Sequence, residues 1–552
     1  SPAAELAHAA GELVDRYNEL AVLAMTLRSF LTGFTAVDSF NAEARKLESQ
    51  FQVLGARIDN LQTGFRAWFG AIAGRLGEII PLNPSASAHA FALKEAAEHS
   101  KFQMSPAEES LAAELSLSGG EAWHKLQATV TSQKTVQFEL DGREQTFSMP
   151  ALINLRSHPD EDVRRRGFEA ETAAWESVRE ALAAAMNGVK GETLTLGKRR
   201  GRPDPLDGAL ELARIDRETL DAMLGAMFDS LPMFRGYFHA KARLIGKERL
   251  AWWDLFAPAG KAERTFNWPD TRAFLLENFA GFSDDLAGLA RTAFDQNWID
   301  AESRPGKRGG AFCMGVPGVK QSRVLTNFDG SLDQVSTVAH ELGHAFHNSC
   351  IYKAGKTPLQ SRTPMTLAET ASIMNETIVQ NAILARAASD QEALGILETG
   401  LIGDSQVIVD IYSRFLFERE VFARRAKAEL SADELCEVMA WAQQEAYGDG
   451  LDERYLQPYM WTWKPHYYSV DLPFYNFPYA FGLLFGVGLY AIYQQRGAAF
   501  VPDYQALLAS TGEGTAADLA ARFGIDVRQK DFWAGSLNVI GERVKRYQAL
   551  VG

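Results

Sequence analysis

The chain has 552 residues, 46% of them hydrophobic and 23% charged, and its formal net charge is −14. A chain of this length can bury a large core and hold more than one domain. Its negative charge argues against nucleic acid as a partner, because nucleic acids select basic surfaces. The three cysteines, at positions 313, 350 and 436, are too few and too scattered for a disulfide framework. Thiols kept reduced in a cytoplasm fit this composition best.

The N-terminal part of the chain is predicted to be helical. Residues 3–78 alternate small, apolar and charged residues at helical period, which predicts two or three long helices. Residues 135–148 alternate in polarity around an Asp-Gly dipeptide, a pattern typical of a β-hairpin. We place a domain boundary directly after this hairpin, which gives an N-terminal region, 1–149, and a second domain, 150–552.

The second domain is also predicted to be mainly helical. Residues 159–195 predict one long helix, and helical spacing dominates from Arg217 onwards. Residues 309–314 and 323–328 instead predict two short strands joined by a loop that contains Gly and Pro. Such a strand could pair with an extended peptide through backbone hydrogen bonds, or it could belong to an ordinary hairpin.

The segment from His340 to His344 has the pattern H-E-x-x-H. On an α-helix, positions i and i+4 share one face, so the two imidazoles could hold two corners of a tetrahedral Zn²⁺. Glu341 lies one position round the helix and could reach a water at the metal instead of the metal itself. The same short pattern also arises by chance, in which case the histidines would only be part of a core.

A catalytic zinc site needs a third protein ligand. A third histidine six residues after the second is excluded, because Cys350 stands at that position. The first acidic residue after the motif is Glu369, inside a predicted helix that continues past Glu376. We therefore predict His340, His344 and Glu369 as the ligands of one Zn²⁺ per chain. Glu376 is either a hydrogen-bond acceptor for a ligand imidazole or a solvated charge, and the sequence leaves both open.

His347 lies on the same helix face as the two motif histidines. It follows His340 by seven residues, which is about 10 Å along the helix axis. Zn–N bonds are only about 2 Å long, so one ion cannot easily bind both. We predict that His347 packs against, or supports, the site and is not a ligand.

Several segments form a joint pattern: Pro305–Cys313, Asn327–Gly330, His340–His347, Glu369–Glu376, Pro465–Tyr468 and Leu472–Gly482. Together they resemble the oligoendopeptidase F and thimet oligopeptidase family of zinc metallopeptidases, and most closely its oligoendopeptidase F branch. The resemblance implies a mainly α fold, a gluzincin-type helical peptidase with a deep channel between two helical walls. The predicted strands would then form a small β-sheet beside the active site.

The resemblance also implies residues that assist the reaction. His466 and Tyr479 are the first choices as hydrogen-bond donors to the oxygen that becomes charged in the transition state, Tyr475 comes next, and Tyr468 is weaker. The segment is aromatic throughout, so the alternative is that these rings are simply core. Tyr475 and Tyr479 stand at i and i+4 and would share a helix face, although Pro478 opposes a regular helix there.

These residues predict a zinc-dependent endopeptidase that cleaves internal bonds of short peptides, with Glu341 as general base. One alternative is a dipeptide-releasing carboxypeptidase of the peptidyl-dipeptidase kind, which uses the same motif and a glutamate from a nearby helix. A non-catalytic peptide-binding protein is the third possibility. Such a protein would be expected to have lost the base or a ligand, and all four residues are present.

No membrane partner is predicted. The apolar stretch Ala480–Tyr493 has only 14 residues and is too short to span a bilayer, so we expect a buried helix. Near the N-terminus, Glu5, Glu12 and Asp15 interrupt any apolar run, so no signal peptide is expected. Together with the cysteines, these observations predict a cytoplasmic protein whose partners are short peptides.

Overall fold

The computed structural model describes residues 2–260 and 264–552, apart from the side chains of residues 56 and 59. The structure is mainly helical with a small amount of sheet, as the sequence predicts. The chain divides into two compact units. Unit 1 contains Ser1–Phe102, Glu263–Arg386 and Gly482–Val527, and unit 2 contains Gln103–Ala262, Ala387–Phe481 and Arg528–Gly552. The predicted boundary after residue 149 falls inside unit 2.

Unit 1 begins with two long helices, Ala3–Val37 and Ala42–Ala71, in agreement with the prediction for this region. The second helix begins at Asn41, whose side chain accepts a hydrogen bond from the Ala44 N–H at 3.0 Å. Phe65 and Phe69 form a small core with neighbouring apolar side chains. The other helices that lie entirely in unit 1 are Leu76–Ile79, Pro84–Ala88, Ala90–Ser100, Trp268–Phe282, Asp284–Asp295, Leu332–Lys353, Met365–Ala368, Thr370–Ala385, Val501–Ser510 and Ala516–Ala521.

A three-stranded sheet lies in unit 1. Gln321–Leu325 is its central strand, parallel to Ile299–Asp300 and antiparallel to Phe312–Val316, which lies at an edge. The antiparallel pair, Phe312–Val316 and Gln321–Leu325, corresponds to the strands predicted at 309–314 and 323–328. The pair is confirmed, but the turn between its strands is tighter than expected. The chain reverses over residues 317–320, where Lys320 adopts the left-handed conformation, with φ +52°.

The helix Leu332–Lys353, which we call the motif helix, contacts both strands of this antiparallel pair. The Ser331 side chain caps it by accepting a hydrogen bond from the Gln334 N–H at 3.3 Å. Its apolar face, which includes Val335, Val338 and Leu342, is completely buried. After a connecting segment, the chain returns as the helix Thr370–Ala385 and packs against the motif helix.

Gly343 allows these two helices to approach closely. A Cβ atom at position 343 would lie 2.5 Å from the carbonyl oxygen of Ala371 and 2.5 Å from Cα of Ser372. Both obstacles are backbone atoms, which cannot move without shifting the helix. The separation of the two helices therefore requires glycine in the middle of the H-E-x-x-H motif.

Unit 2 contains the predicted hairpin. Thr135–Leu140 and Arg143–Ser148 pair antiparallel, and the two residues between them, Asp141 and Gly142, have φ of +54° and +71°. Positive φ at both positions is what a two-residue type I′ turn requires. The helices that lie entirely in unit 2 are Pro106–Ser116, Gly120–Gln133, Met149–Asn154, Glu161–Glu176, Arg179–Arg199, Pro205–Ala213, Arg217–Leu244, Asp390–Ser405, Ile411–Arg425, Ala432–Tyr447, Met460–Trp463 and Lys530–Val551.

The prediction of one long helix over residues 159–195 is wrong. The structure has two helices, Glu161–Glu176 and Arg179–Arg199, because Val178 leaves the helical conformation, with ψ 0°. The hydroxyl of Ser177 donates to the Ala174 carbonyl oxygen at 2.7 Å, a local bond that competes with regular helix geometry.

The predicted apolar stretch Ala480–Tyr493 is the middle of the helix Phe477–Arg496, whose first five residues belong to unit 2 and whose remainder belongs to unit 1. Its apolar side chains are largely buried, as expected. By length and composition alone, the stretch Phe477–Ser510 and the helix Ala3–Val37 could each cross a membrane. Core helices of soluble proteins and signal sequences near an N-terminus share these properties; 67% of the apolar window in Phe477–Ser510 is buried, but only 11% of that in Ala3–Val37.

A buried carboxyl group in unit 2 is set to titrate near neutrality. Glu171 is 7% exposed, and its carboxylate accepts a hydrogen bond from the Trp175 indole N–H at 3.1 Å. Burial raises the pKa of Glu171 to about 7, although this hydrogen bond and the charges of Arg156 and Lys464 oppose the change. The folded protein therefore keeps this proton at a pH where the unfolded chain, whose glutamates titrate near 4.5, has lost it.

Glu171→Gln is expected to stabilise the protein in a pH-dependent manner. Unfolding of the wild type releases the Glu171 proton between about pH 4.5 and about pH 7, so its stability falls as the pH rises through this range. Glutamine keeps the acceptor for Trp175 and cannot ionise. The variant should match the wild type near pH 4 and exceed it by about 1–3 kcal/mol near pH 8. Urea unfolding at both pH values measures this, with the exposed Glu169→Gln as control. A difference that does not change with pH would contradict it.

Candidate active site

The predicted ligands converge in unit 1. Oε2 of Glu369 lies 3.3 Å from Nε2 of His340 and 3.4 Å from Nε2 of His344. One ligand atom from each of the three residues lies within 4.8 Å of the other two. Among residues 2–260 and 264–552, these three residues are the clustered histidine, cysteine and acidic side chains that could hold a metal ion.

The prediction that Glu369 lies inside a continuous helix is wrong. It is the junction between Met365–Ala368 and Thr370–Ala385, and its ψ of 4° breaks the helix. The Ser372 hydroxyl donates to its Oε2 at 2.7 Å. A Cβ atom at Gly482 would lie 3.0 Å from Cβ of Glu369, so the helix behind the junction also approaches closely. The break and these two neighbours fix the direction of the carboxylate.

The three predicted ligand side chains influence one another's charge strongly. Burial disfavours a charged imidazole, but hydrogen bonds with Glu369 and Glu376 outweigh it and raise the pKa of His340 to about 10. Burial likewise opposes ionisation of Glu369, yet hydrogen bonds from His340 and His344 hold the pKa of this carboxyl well below its ordinary value. The site thus holds a carboxylate that attracts positive charge. A divalent cation would supply that charge in place of the imidazole protons.

Glu341 is buried beside these ligands. Its side chain is 6% exposed, and its Oε2 has no hydrogen-bond partner in the part of the chain that the structure describes. Burial raises the pKa of this carboxyl, against the opposing charges of His340 and His344. A buried carboxylate oxygen without a partner costs free energy. Its presence indicates a place for a further polar group, and two imidazoles with one carboxylate are a donor set that fits a catalytic zinc ion.

Glu376 is a hydrogen-bond acceptor, which resolves the alternatives that the sequence leaves open. Its Oε2 lies 3.2 Å from Nδ1 of His340, and Gln380 donates to its Oε1 at 2.9 Å. It therefore orients the His340 ring so that Nε2 faces Glu369. His347 is apart from the ligand group, and its Nε2 lies 2.8 Å from the Thr511 hydroxyl.

Glu376→Ala is expected to weaken zinc binding about 10- to 100-fold, because the His340 ring loses the acceptor that fixes its orientation. Titration of the metal-free protein with zinc, in competition with a chromophoric chelator, measures this. Glu277→Ala provides a control, since Glu277 is an exposed residue paired with Arg386 at 2.7 Å. Equal zinc affinity in Glu376→Ala and the wild type would show that this hydrogen bond does not support the site.

In unit 2, the remaining predicted residues form an aromatic cluster. The hydroxyls of Tyr475 and Tyr479 lie 2.6 Å apart, and the ring of Tyr475 stacks on His466 with centroids 5.5 Å apart. The two tyrosines do not share a helix, because Tyr475 precedes the helix Phe477–Arg496. Tyr479 is 37% exposed, whereas Tyr468 is completely buried. Tyr468 therefore has the surroundings of a core residue.

An unusual backbone conformation precedes Tyr475. Phe474 is buried and has φ +55°, a region that non-glycine residues rarely adopt. Its N–H donates to Oε2 of Glu418 at 3.0 Å, and Oε1 of Glu418 accepts from Nζ of Lys190 at 2.6 Å. This buried ion pair holds the turn. Sequence reasoning missed Lys190 and Glu418, because they are 228 residues apart and belong to no motif.

The comparison with protein families decides the classification. Residues 154–539 match the sequence model of Peptidase family M3. The chain belongs to peptidase family M3. The matched part contains every predicted site residue and confirms the resemblance inferred from the motifs. Family M3 is a family of peptidases, the class of enzyme that the sequence predicts.

Individual relatives agree with membership of family M3. The chain is 24% identical over 408 residues to an oligoendopeptidase F homolog of Lactococcus lactis subsp. lactis, covering 72% of the chain and 66% of the relative. It is 21% identical over 413 residues to oligopeptidase PepF of Bacillus subtilis, and this alignment covers 74% of the chain and 61% of the relative. The alignments thus span just under two thirds of the lengths of these curated relatives.

Solved structures share the fold of this M3 family member. A chain from Chlamydophila abortus superimposes with a TM-score of 0.86 at 19% identity, covering 99% of this chain and 90% of that one. Oligoendopeptidase-F from Enterococcus faecium gives a TM-score of 0.71 at 17% identity, covering 99% and 94%. These similarities confirm the predicted fold class.

Proposed function

We propose that this member of family M3 is a zinc-dependent oligoendopeptidase that hydrolyses internal bonds of short peptides. The convergence of His340, His344 and Glu369 within 4.8 Å carries the proposal, together with the unpaired buried carboxylate of Glu341. Three protein ligands leave a fourth position open, as catalytic zinc sites do. When bound there, Zn²⁺ would polarise the peptide carbonyl and make a water molecule more acidic.

Glu341 is the general base in this proposal. It takes a proton from the attacking water and then delivers a proton to the amine nitrogen of the leaving peptide. Its position next to His340 in the motif places the carboxylate beside the ligands, and it is not one of the three converging residues. Because the side chain is buried, little bulk water competes for its oxygen atoms.

His466 and Tyr479 are proposed as hydrogen-bond donors to the carbonyl oxygen as it gains negative charge. The resemblance to oligoendopeptidase F supports this assignment, and so does the partial exposure of Tyr479. Tyr475 would support Tyr479 through the 2.6 Å contact between their hydroxyls. A donor aimed at this oxygen typically contributes about 10²–10³ to the rate.

The edge strand Phe312–Val316 is proposed to bind the substrate backbone. An extended peptide can add to a free sheet edge through main-chain hydrogen bonds, with little selection of side chains. The Ser29 hydroxyl donates to the Gly315 carbonyl oxygen at 2.8 Å and so occupies that end of the edge. Pairing would therefore use the part of the strand before Gly315. The substrates would be short peptides in the cytoplasm, a location that the unpaired Cys313, Cys350 and Cys436 support.

Doubly blocked peptides of increasing length test the proposed function. We expect internal cleavage, identified by mass spectrometry of the products. A chelator should abolish this cleavage and added zinc should restore it, because the proposed reaction needs a zinc ion bound by the three protein ligands. Activity that survives complete removal of metal would contradict the proposal. Release of dipeptides from peptides with a free C-terminus, with no cleavage of blocked ones, would instead identify a peptidyl-dipeptidase.

A further inference from the structure

The ring of His466 is held by a buried amide. Nδ2 of Asn476 lies 2.7 Å from Nε2 of His466, and Oδ1 of Asn476 accepts from Nη1 of Arg414 at 3.3 Å. Arg414 is in turn bound to the carboxylate of Asp410. Asn476 is 7% exposed and Asp410 is 1% exposed, so water competes little for these contacts.

Only one orientation of the Asn476 amide satisfies both contacts. A guanidinium group donates and never accepts, so the amide oxygen must face Arg414. The amide nitrogen then donates to His466, and Nε2 of the ring must accept. A neutral imidazole whose Nε2 accepts carries its proton on Nδ1.

The surroundings of His466 keep the ring neutral. Burial first, and then the positive charges of Arg414, Lys464 and Lys190, lower the pKa of His466 to about 2. The neighbouring anions do not counteract this, since Asp410 is bound to Arg414 and Glu418 is bound to Lys190. Tyr467, Tyr475 and Asn476 also contact the ring, and their side chains are uncharged. A protonated ring would also place an N–H against the Asn476 amide N–H.

We propose that Asn476 is a positioning residue that holds His466 as the neutral Nδ1–H tautomer, so that Nδ1–H is the donor available to a substrate oxygen. Nδ1 of His466 has no hydrogen-bond partner among the residues that the structure describes, and the side chain is half-buried. The inference deepens the proposed function and rests on it, because it specifies how His466 would serve that reaction. A donor of this kind does not require a positively charged imidazole.

Nitrogen NMR of the zinc-loaded protein, with ¹⁵N-labelled histidine, tests the tautomer directly. The His466 signals are assigned by their loss in His466→Gln. We expect a protonated Nδ1 and an unprotonated Nε2, with no gain or loss of a ring proton from about pH 5.5 to about pH 8.5. A protonated Nε2, or titration of the ring within this range, would overturn the proposal. This readout needs no variant at position 476 and no peptidase activity.

Asn476→Asp tests the positioning role. A carboxylate only accepts, so Nε2 of His466 must carry a proton. Because burial and the nearby positive charges keep the ring neutral, the NMR spectrum should change to the Nε2–H form, which has no Nδ1–H to donate. The value of kcat for a doubly blocked peptide should fall about 10²-fold, with KM within about twofold of the wild-type value. Asn278→Asp introduces the same charge at an asparagine that only donates to the Phe274 carbonyl oxygen, and it should change neither readout.

The outcomes separate the inference from the proposed function. An unchanged His466 spectrum in Asn476→Asp, or a changed spectrum with unchanged kcat, would overturn the positioning role. An active wild-type enzyme whose ring is Nε2–H would overturn the inference alone. A wild-type protein that has the Nδ1–H ring but cleaves no peptide would overturn the proposed function, and with it the use of this donor.

Discussion

Replacement of Glu341 by glutamine is expected to leave zinc bound and to lower kcat for a doubly blocked peptide about 10²–10⁴-fold. The amide matches the carboxylate in size, so the motif helix should keep its packing. It cannot take a proton from water or deliver one to the leaving amine. Zinc content after dialysis and kcat, measured on the same preparation, check both parts of this prediction.

Glu302→Gln is the matched control, because Glu302 is exposed in the same unit and should affect neither quantity. Full turnover in Glu341→Gln would remove this residue from the mechanism. Loss of zinc from Glu341→Gln would instead show that Glu341 binds the metal, contrary to the convergence of His340, His344 and Glu369.

Replacement of Gly343 by alanine is expected to lower zinc affinity about 10- to 100-fold without changing any ligand. The new Cβ would lie 2.5 Å from the Ala371 carbonyl oxygen and from Ser372 Cα, so the helix Thr370–Ala385 must move. Glu369 directly precedes that helix and would move with it, away from His340 and His344. We also expect a loss of about 1–3 kcal/mol in the stability of the zinc-free protein, as for other overpacked contacts.

Gly288→Ala is the control for the general effect of adding a methyl group to a helix. Gly288 lies in the helix Asp284–Asp295, and a Cβ there would meet no atom within 4 Å. This variant should gain up to about 1 kcal/mol in stability and keep its zinc affinity. Wild-type zinc affinity in Gly343→Ala would mean that the close approach of the two helices does not set the ligand geometry.

The local part of the site could be predicted from sequence because it depends on helix geometry alone. His340 and His344 share a face at i and i+4, and Glu341 follows from the same five residues. Glu369 could be found because it is the first acidic residue after the motif. Its conformation could not, since no spacing in the sequence marks the helix break at Glu369, and Gly482, which lies close to Glu369, is far away in the chain.

The supporting contacts in unit 2 were also beyond sequence reasoning. Arg414 is 62 residues from Asn476, and no periodicity or spacing links the two. The prediction that Tyr475 and Tyr479 share a helix face is wrong, although their hydroxyls do meet. Hydrophobic period predicted most of the helices, but it could not locate the interruption near Val178, because the local hydrogen bond from Ser177 to the Ala174 carbonyl oxygen does not appear in that period.

A crystal of the zinc-loaded protein, measured with X-rays on both sides of the zinc absorption edge, tests most directly whether His340, His344 and Glu369 bind one zinc ion. We expect one anomalous peak per chain, about 2.0–2.2 Å from Nε2 of His340, Nε2 of His344 and a carboxylate oxygen of Glu369. A peak bound by other residues, or no peak at these three side chains in an active preparation, would contradict it.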